Sequence, residues 1–172
     1  MAGGQSIGSD WFYVAWCALS LLLAILCDSE ALLHDPATYG KVEPVVNWPP
    51  PVVVRALHQW GNDFDPLLQA RPLWFKVCFW MEMTFQVPYY IVAIYGFINR
   101  SEWLRVPTLV YAAQSITVMA IVLTEQFVGE FKTSAPLVIL GSYLPFAIVP
   151  FFFLIRASGP TMFGKPLKSK NA

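Results

Sequence analysis

Four apolar runs dominate the chain: Trp11 to about Leu33, Leu73 to Ile98, Val106 to Leu123 and Ala135 to Ile155. A helix rising ~1.5 Å per residue needs ~20 residues to cross a hydrocarbon core of ~30 Å, and each run matches that length. No alternating strand pattern competes with them. A soluble four-helix bundle would need a polar face on every helix, and these runs have none. With 56% of its 172 residues hydrophobic and only 13% charged, the chain reads as all-α. The predicted architecture is a four-transmembrane-helix bundle with a partly helical lumenal loop between the first and second helices. It divides into a cytoplasmic N-terminal tail (1–10), a membrane domain (11–155) and a basic cytoplasmic tail (156–172).

Basic residues beside the helices set the orientation. The 99–105 loop carries Arg100 and Arg105, and the tail carries Arg156, Lys165, Lys168 and Lys170, whereas the 124–134 loop has only Lys132. Both termini are therefore expected to be cytoplasmic, with His34 to Pro72 on the lumenal or exterior side. The stretch before the first run, MAGGQSIGSD, has no Lys or Arg, and the run exceeds a signal-peptide core, so it reads as a retained helix. Asn99-Arg100-Ser101 fits the N-glycosylation pattern but falls on the cytoplasmic side, where it stays unmodified. Cys17, Cys27 and Cys78 lie in or at the edge of helices and read as small packing groups rather than a disulfide framework.

The lumenal loop has structure of its own. Asn47-Trp48-Pro49-Pro50-Pro51 is stiff and extended, and Val53, Leu57 and Trp60 then recur at helical spacing on one face. Asp65 before Pro66 supplies an N-cap and a first-turn proline for a short helix through Gln69. The loop is expected to rest on the bundle as a lid.

Glu82 is the chemically informative residue. It lies nine residues into the second run, ~14 Å deep and close to the midplane. A charge at that depth costs ~2.5 kcal/mol or more, so an acid there is a site candidate that needs a partner. Cys78, Glu82, Phe85, Gln86 and Tyr89 share one helical stripe. Pro88, one turn on, bends the helix and opens room beside the acid. The best partner is Asp28, near the lumenal end of the first run; Lys76, Gln114 and Glu30 are the competing contacts. Two carboxylates facing each other in a low dielectric share one negative charge, one of them holding the proton. Such a site suits a lipophilic cation whose apolar body fills an aromatic pocket.

Asp65-Pro66-Leu67-Leu68-Gln69, then Trp74-Phe75-Lys76, then Glu82-Met83-Thr84-Phe85-Gln86-Val87-Pro88 resemble the EXPERA-domain family. Asp28 ending an apolar run, Trp103-Leu104-Arg105-Val106-Pro107, Tyr111, Tyr143-Leu144-Pro145 and Pro150 support the likeness. The resemblance implies an endoplasmic reticulum membrane receptor-like protein, a homodimer whose pocket opens sideways toward membrane lipid. The ligands it implies are sterols or oxysterols and lipophilic cationic amines, with a role in cholesterol homeostasis and with the lysosomal cholesterol exporter as a partner. Carried over by position, Asp28 pairs with a ligand amine and Glu82 is the protonated acid bonded to it. Gln86, Tyr111, Tyr143 and Phe146 line the pocket, and Asp65 supports it by capping the short helix. Lys168 and Lys170 resemble a dilysine endoplasmic reticulum retrieval signal, for which a basic flank to the last helix is the alternative. No cofactor, metal or nucleic-acid partner is expected.

The same family includes a sterol Δ8–Δ7 isomerase, which protonates and then deprotonates its substrate around a carbocation-like intermediate. Both histidines, His34 and His58, fall in the loop region, so binding is preferred to isomerisation. A proton-carrying transporter is the third reading, and four helices offer it little room for a pathway.

Overall fold

In a computed structural model, which describes residues 7–41 and 47–164, each apolar run forms a helix long and apolar enough to span a membrane. We label these α1 (Gly8–Leu33), α4 (Leu73–Ile98), α5 (Glu102–Val128) and α6 (Pro136–Ser158). Between α1 and α4 lie α2 (Pro51–Asp63) and α3 (Pro66–Ala70). The third and fourth helices are longer than their apolar runs because polar end residues find partners. Arg105 Nε donates to the Ala157 carbonyl at 2.9 Å, tying the start of α5 to the end of α6. Glu102 accepts from the backbone N–H groups of Met162 and Phe163 at 2.7 and 2.8 Å, folding the chain after α6 back onto the bundle. Lys168 and Lys170 lie outside the described residues.

α5 pairs along α6, and α1 runs antiparallel to α4. Stacked and edge-on rings fill the space between them: Tyr13 on Phe97 at 4.9 Å, Tyr89 on Tyr111 at 4.3 Å, and Phe153 edge-on to Tyr13 at 4.7 Å. Such offset and T-shaped pairs add ~0.5–1.5 kcal/mol each beyond the area they bury. Gly96 lets α4 approach the start of α5, since a Cβ there would lie 2.8 Å from Leu104 Cδ2. At the end of the bundle near the chain termini, Arg156 donates to Asp10, which also lies 3.3 Å from Arg100 Nη1. Helix α1 therefore starts within the stretch read as a tail, and Asp10 is buried there.

The lid forms as its caps require. Asp65 accepts from Leu68 N at 2.9 Å, and Pro66 opens α3. Arg71 ends α3 in the left-handed conformation, φ 45°, where its side chain turns back toward α1. Its guanidinium bonds Leu68 O at 2.9 Å, His34 O at 2.6 Å and Glu30 Oε2 at 2.8 Å. The other Glu30 oxygen lies 3.0 Å from His58 Nε2, and the His58 ring stacks on Tyr39 at 3.8 Å. Glu30 is fully buried, with Arg71 and His58 at 3% and 4% exposure. This anchor rotates α2 from its expected register: Val54, His58 and Gly61 face inward toward the anchor, while Leu57 and Trp60 turn to a cavity below.

Burial, with the Arg71 and His34 charges behind it, pushes the His58 imidazole down from 6.5 to about 4. The unfolded chain then binds the proton more readily than the folded one, so stability falls as pH drops through that window and is fully present above it. Thermal unfolding is expected to shift to lower temperature between pH 7 and pH 5, and less so in His58→Gln. Equal pH slopes for the two proteins would refute this.

Candidate functional site

Both membrane acids sit on a local widening of their helix. Helix α1 makes a π turn over Ala24–Asp28, and α4 makes one over Glu82–Gln86. In each, the next N–H bonds five residues back, Ser29 to Ala24 and Val87 to Glu82. Such single-turn bulges insert one residue and are frequent at functional sites. The two turns face each other across the bundle. Pro88 is the second residue of the α-helical stretch that follows the second turn, and it is exposed.

The extra residue changes the stripe expected on α4. In an unbroken helix Tyr89 would follow Glu82 and Gln86 on one face. Past the π turn Tyr90 takes that place, and Tyr89 instead donates to Thr108 Oγ1 at 3.1 Å in the core. Phe85 is turned outward at 38% exposure.

A cavity of about 320 Å³ lies between the two turns and beneath the lid. Asp28, Glu82, Gln86, Tyr111, Tyr143 and Phe146 all line it. Apolar walls come from Leu57, Trp60, Phe75, Phe79, Val118 and Met119, which gives it the largely apolar character of small-molecule sites. The Tyr90 hydroxyl lies 2.8 Å from Glu82 Oε1 and 3.0 Å from Gln86 Oε1, and Ser115 Oγ donates to the same amide oxygen at 3.1 Å. Trp16 Nε1 donates to the Tyr111 hydroxyl at 3.4 Å, and its ring packs 5.2 Å from Phe146.

Glu82 thus has Tyr90 as its hydrogen-bond partner, and no direct bond joins the two acids among the described residues. Asp28 and Glu82 line the same cavity from π turns in contact with each other, yet no described residue donates a hydrogen bond to Asp28. Glu30 faces the other way, into the Arg71 anchor. Gln114 makes no bond through its amide nitrogen among the described residues.

Asp65 lies behind the cavity wall, fully buried. Besides capping α3 it accepts from Gln126 Nε2 and, at 2.5 Å, from the Tyr143 hydroxyl. It holds the lid, α5 and α6 together and fixes a residue of the cavity wall. The Tyr143 and Gln126 links join segments 61 or more residues apart, so sequence spacing carries no sign of them.

Ser20, Tyr90 and Ser115 also line the cavity, beyond the residues expected from the sequence. Ser20 was within reach of sequence reasoning, since 20, 24 and 27 follow helical spacing toward Asp28. Tyr90 was not, because nothing in the residues around Glu82 announces a π turn.

The family described as EXPERA (EXPanded EBP superfamily) matches residues 53–157, from the lid to the end of α6. Similar proteins include Sigma intracellular receptor 2 of Macaca fascicularis and of Homo sapiens. Each is 34% identical over 120 residues, 61% of this chain and 68% of the relative. Sigma intracellular receptor 2 of Xenopus tropicalis is 27% identical over 158 residues, 85% of each chain. The Asp65–Pro88 motifs that carry the sequence resemblance lie inside the matched stretch, and the chain belongs to the EXPERA family.

Proposed function

We propose that this multi-pass membrane protein is a receptor-like binder of sterols and lipophilic amines, held in the cavity between the two π turns. The observation that carries this reading is the Asp28 carboxylate. It lines an apolar cavity at membrane depth with no hydrogen-bond donor among the described residues. An acid in such surroundings is stabilised by a cation that brings its own N–H donor, and the ring-rich walls take up that cation's apolar body. Glu82 is the neutral half of the acid pair, so the cavity carries a single negative charge. The names of the similar receptors agree with a binding role, and neither histidine lines the cavity: His58 lies against Glu30, and His34 Nε2 is 2.9 Å from the Trp48 carbonyl. A place in the endoplasmic reticulum membrane, a part in cholesterol homeostasis, contact with the lysosomal cholesterol exporter and a homodimeric state belong to the same proposal.

One cavity for two ligand classes predicts strict competition. In purified full-length protein, cholesterol or an oxysterol is expected to displace a bound lipophilic tertiary amine by raising its apparent Kd without lowering the number of sites. Simultaneous binding of both would overturn the shared-cavity reading. The isomerase alternative is tested separately: rescue of a sterol-isomerase-deficient yeast strain by this chain would establish an enzyme, and no growth at normal expression would leave the binder.

A further inference from the structure

In a chain with no net charge, the end of the bundle near the chain termini has a surplus of cations. Arg100, Arg105 and Arg156 lie there, and Lys165, Lys168 and Lys170 follow α6 in the sequence, against the two acids Asp10 and Glu102. Both acids are engaged. Asp10 sits between Arg156 and Arg100, and Glu102 accepts the backbone N–H groups of Met162 and Phe163, one on each oxygen. Arg105 is held differently. Its Nε donates to the Ala157 carbonyl in the last turn of α6 at 2.9 Å, while neither of its terminal nitrogens meets an acceptor among the described residues. That one bond fixes the guanidinium at the seam of α5 and α6 and leaves its remaining N–H donors open.

A cation without an acceptor in the protein takes one from its surroundings, and here these are the border of the membrane. Val106, next to Arg105, and Ile155, two residues before Ala157, are 63% and 70% exposed, and Trp103 is exposed as well. An indole and bare aliphatic side chains at the end of a spanning helix mark headgroup depth. A free anion from water gains nothing from these apolar neighbours. A phospholipid gains twice, since its phosphate accepts from the guanidinium fork and its acyl chains cover the aliphatic side chains.

We propose that Arg105, pinned at the seam of α5 and α6, binds the phosphate of an anionic phospholipid, with Val106 and Ile155 against its acyl chains. The cation surplus at this end selects headgroups of net negative charge over zwitterionic ones, whose own ammonium it repels. The site lies at the opposite end of the bundle from the lid and takes its lipid from the leaflet on the side of the termini. It is independent of the cavity and of the ligand proposed for it.

The test presents full-length protein in a neutral detergent with equal amounts of palmitoyl-oleoyl phosphatidylglycerol and phosphatidylcholine. Native mass spectrometry reads the ratio of the two bound lipids, from which any general loss of lipid binding cancels. One basic side chain at a membrane surface is worth about fivefold in favour of anionic lipid. Wild-type protein is expected to prefer phosphatidylglycerol by at least that factor at low salt, and by less as salt is raised. Arg105→Gln is expected to lower the ratio about fivefold, and Arg105→Lys, which keeps the charge without the fork, to lower it less. With Lys165, Lys168 and Lys170 all replaced by Gln, Arg105→Gln is expected to lower the ratio by the same factor. A wild-type ratio near one, or a ratio unchanged in Arg105→Gln, overturns the site. Loss of the Arg105 dependence in the triple lysine variant gives the preference to the tail and overturns it too. Displacement of bound phosphatidylglycerol by inorganic phosphate added before desalting overturns the lipid assignment in favour of a free-anion site.

Discussion

Asp28→Asn is expected to weaken binding of a lipophilic tertiary amine by roughly 30-fold or more, the equivalent of ~2 kcal/mol, the lower end of what removing one partner of a buried charge pair costs. The reason is specific to this carboxylate. Glu82 is held by the Tyr90 hydroxyl, whereas no described residue donates to Asp28, so in the proposed function a ligand N–H is its partner. Asparagine keeps the shape but offers a dipole where the ammonium needs a charge. A neutral sterol loses at most an ordinary hydrogen bond, about 2- to 10-fold. Displacement measurements on the same preparations give both numbers. Amine affinity retained in Asp28→Asn and in Glu82→Gln would defeat the acid-pair cavity, and equal losses for amine and sterol would point to a disturbed fold.

Arg71→Met should destabilise the folded protein by ~3–5 kcal/mol, because it leaves the Glu30 carboxylate buried without its guanidinium. For a chain of this size that corresponds to a fall in Tm of roughly 6–20 °C. The double variant Glu30→Gln, Arg71→Met removes both charges and is expected to recover much of the loss, a non-additivity that signals direct coupling. Thermal unfolding in detergent micelles reads all of these. A double variant no more stable than Arg71→Met would place the loss in the guanidinium's bonds to the Leu68 and His34 carbonyls. Since this anchor holds the lid over the cavity, the single variant is also expected to release ligand faster.

Residues acting within a turn or two of themselves were legible in advance. The four spans follow from run length against bilayer thickness, the α3 cap from Asp65 before Pro66, and the candidate acid from a carboxylate where lipid tolerates few. Asp28 could be named as its partner because it lies near the lumenal end of the first run, at a depth reachable from the same cavity, where two facing carboxylates share one charge. The helices extend beyond their apolar runs, since Arg105 finds its partner at the end of α6 and Glu102 in the segment after it, some 50 to 60 residues away.

By itself, then, the sequence determined the membrane class, the number of spans and the lid cap, and it marked two acids as site candidates, because each depends on local periodicity or on the cost of polarity in lipid. Only the tertiary structure decided that both acids ride on π turns, that Tyr90 rather than Tyr89 meets Glu82, that Glu30 is bound to Arg71, and that Asp28 is left without a donor among the described residues. Those outcomes depend on how two antiparallel helices and a lid settle their backbone hydrogen bonds against one another. A one-residue widening of a helix is set by that packing and leaves no mark in residue spacing.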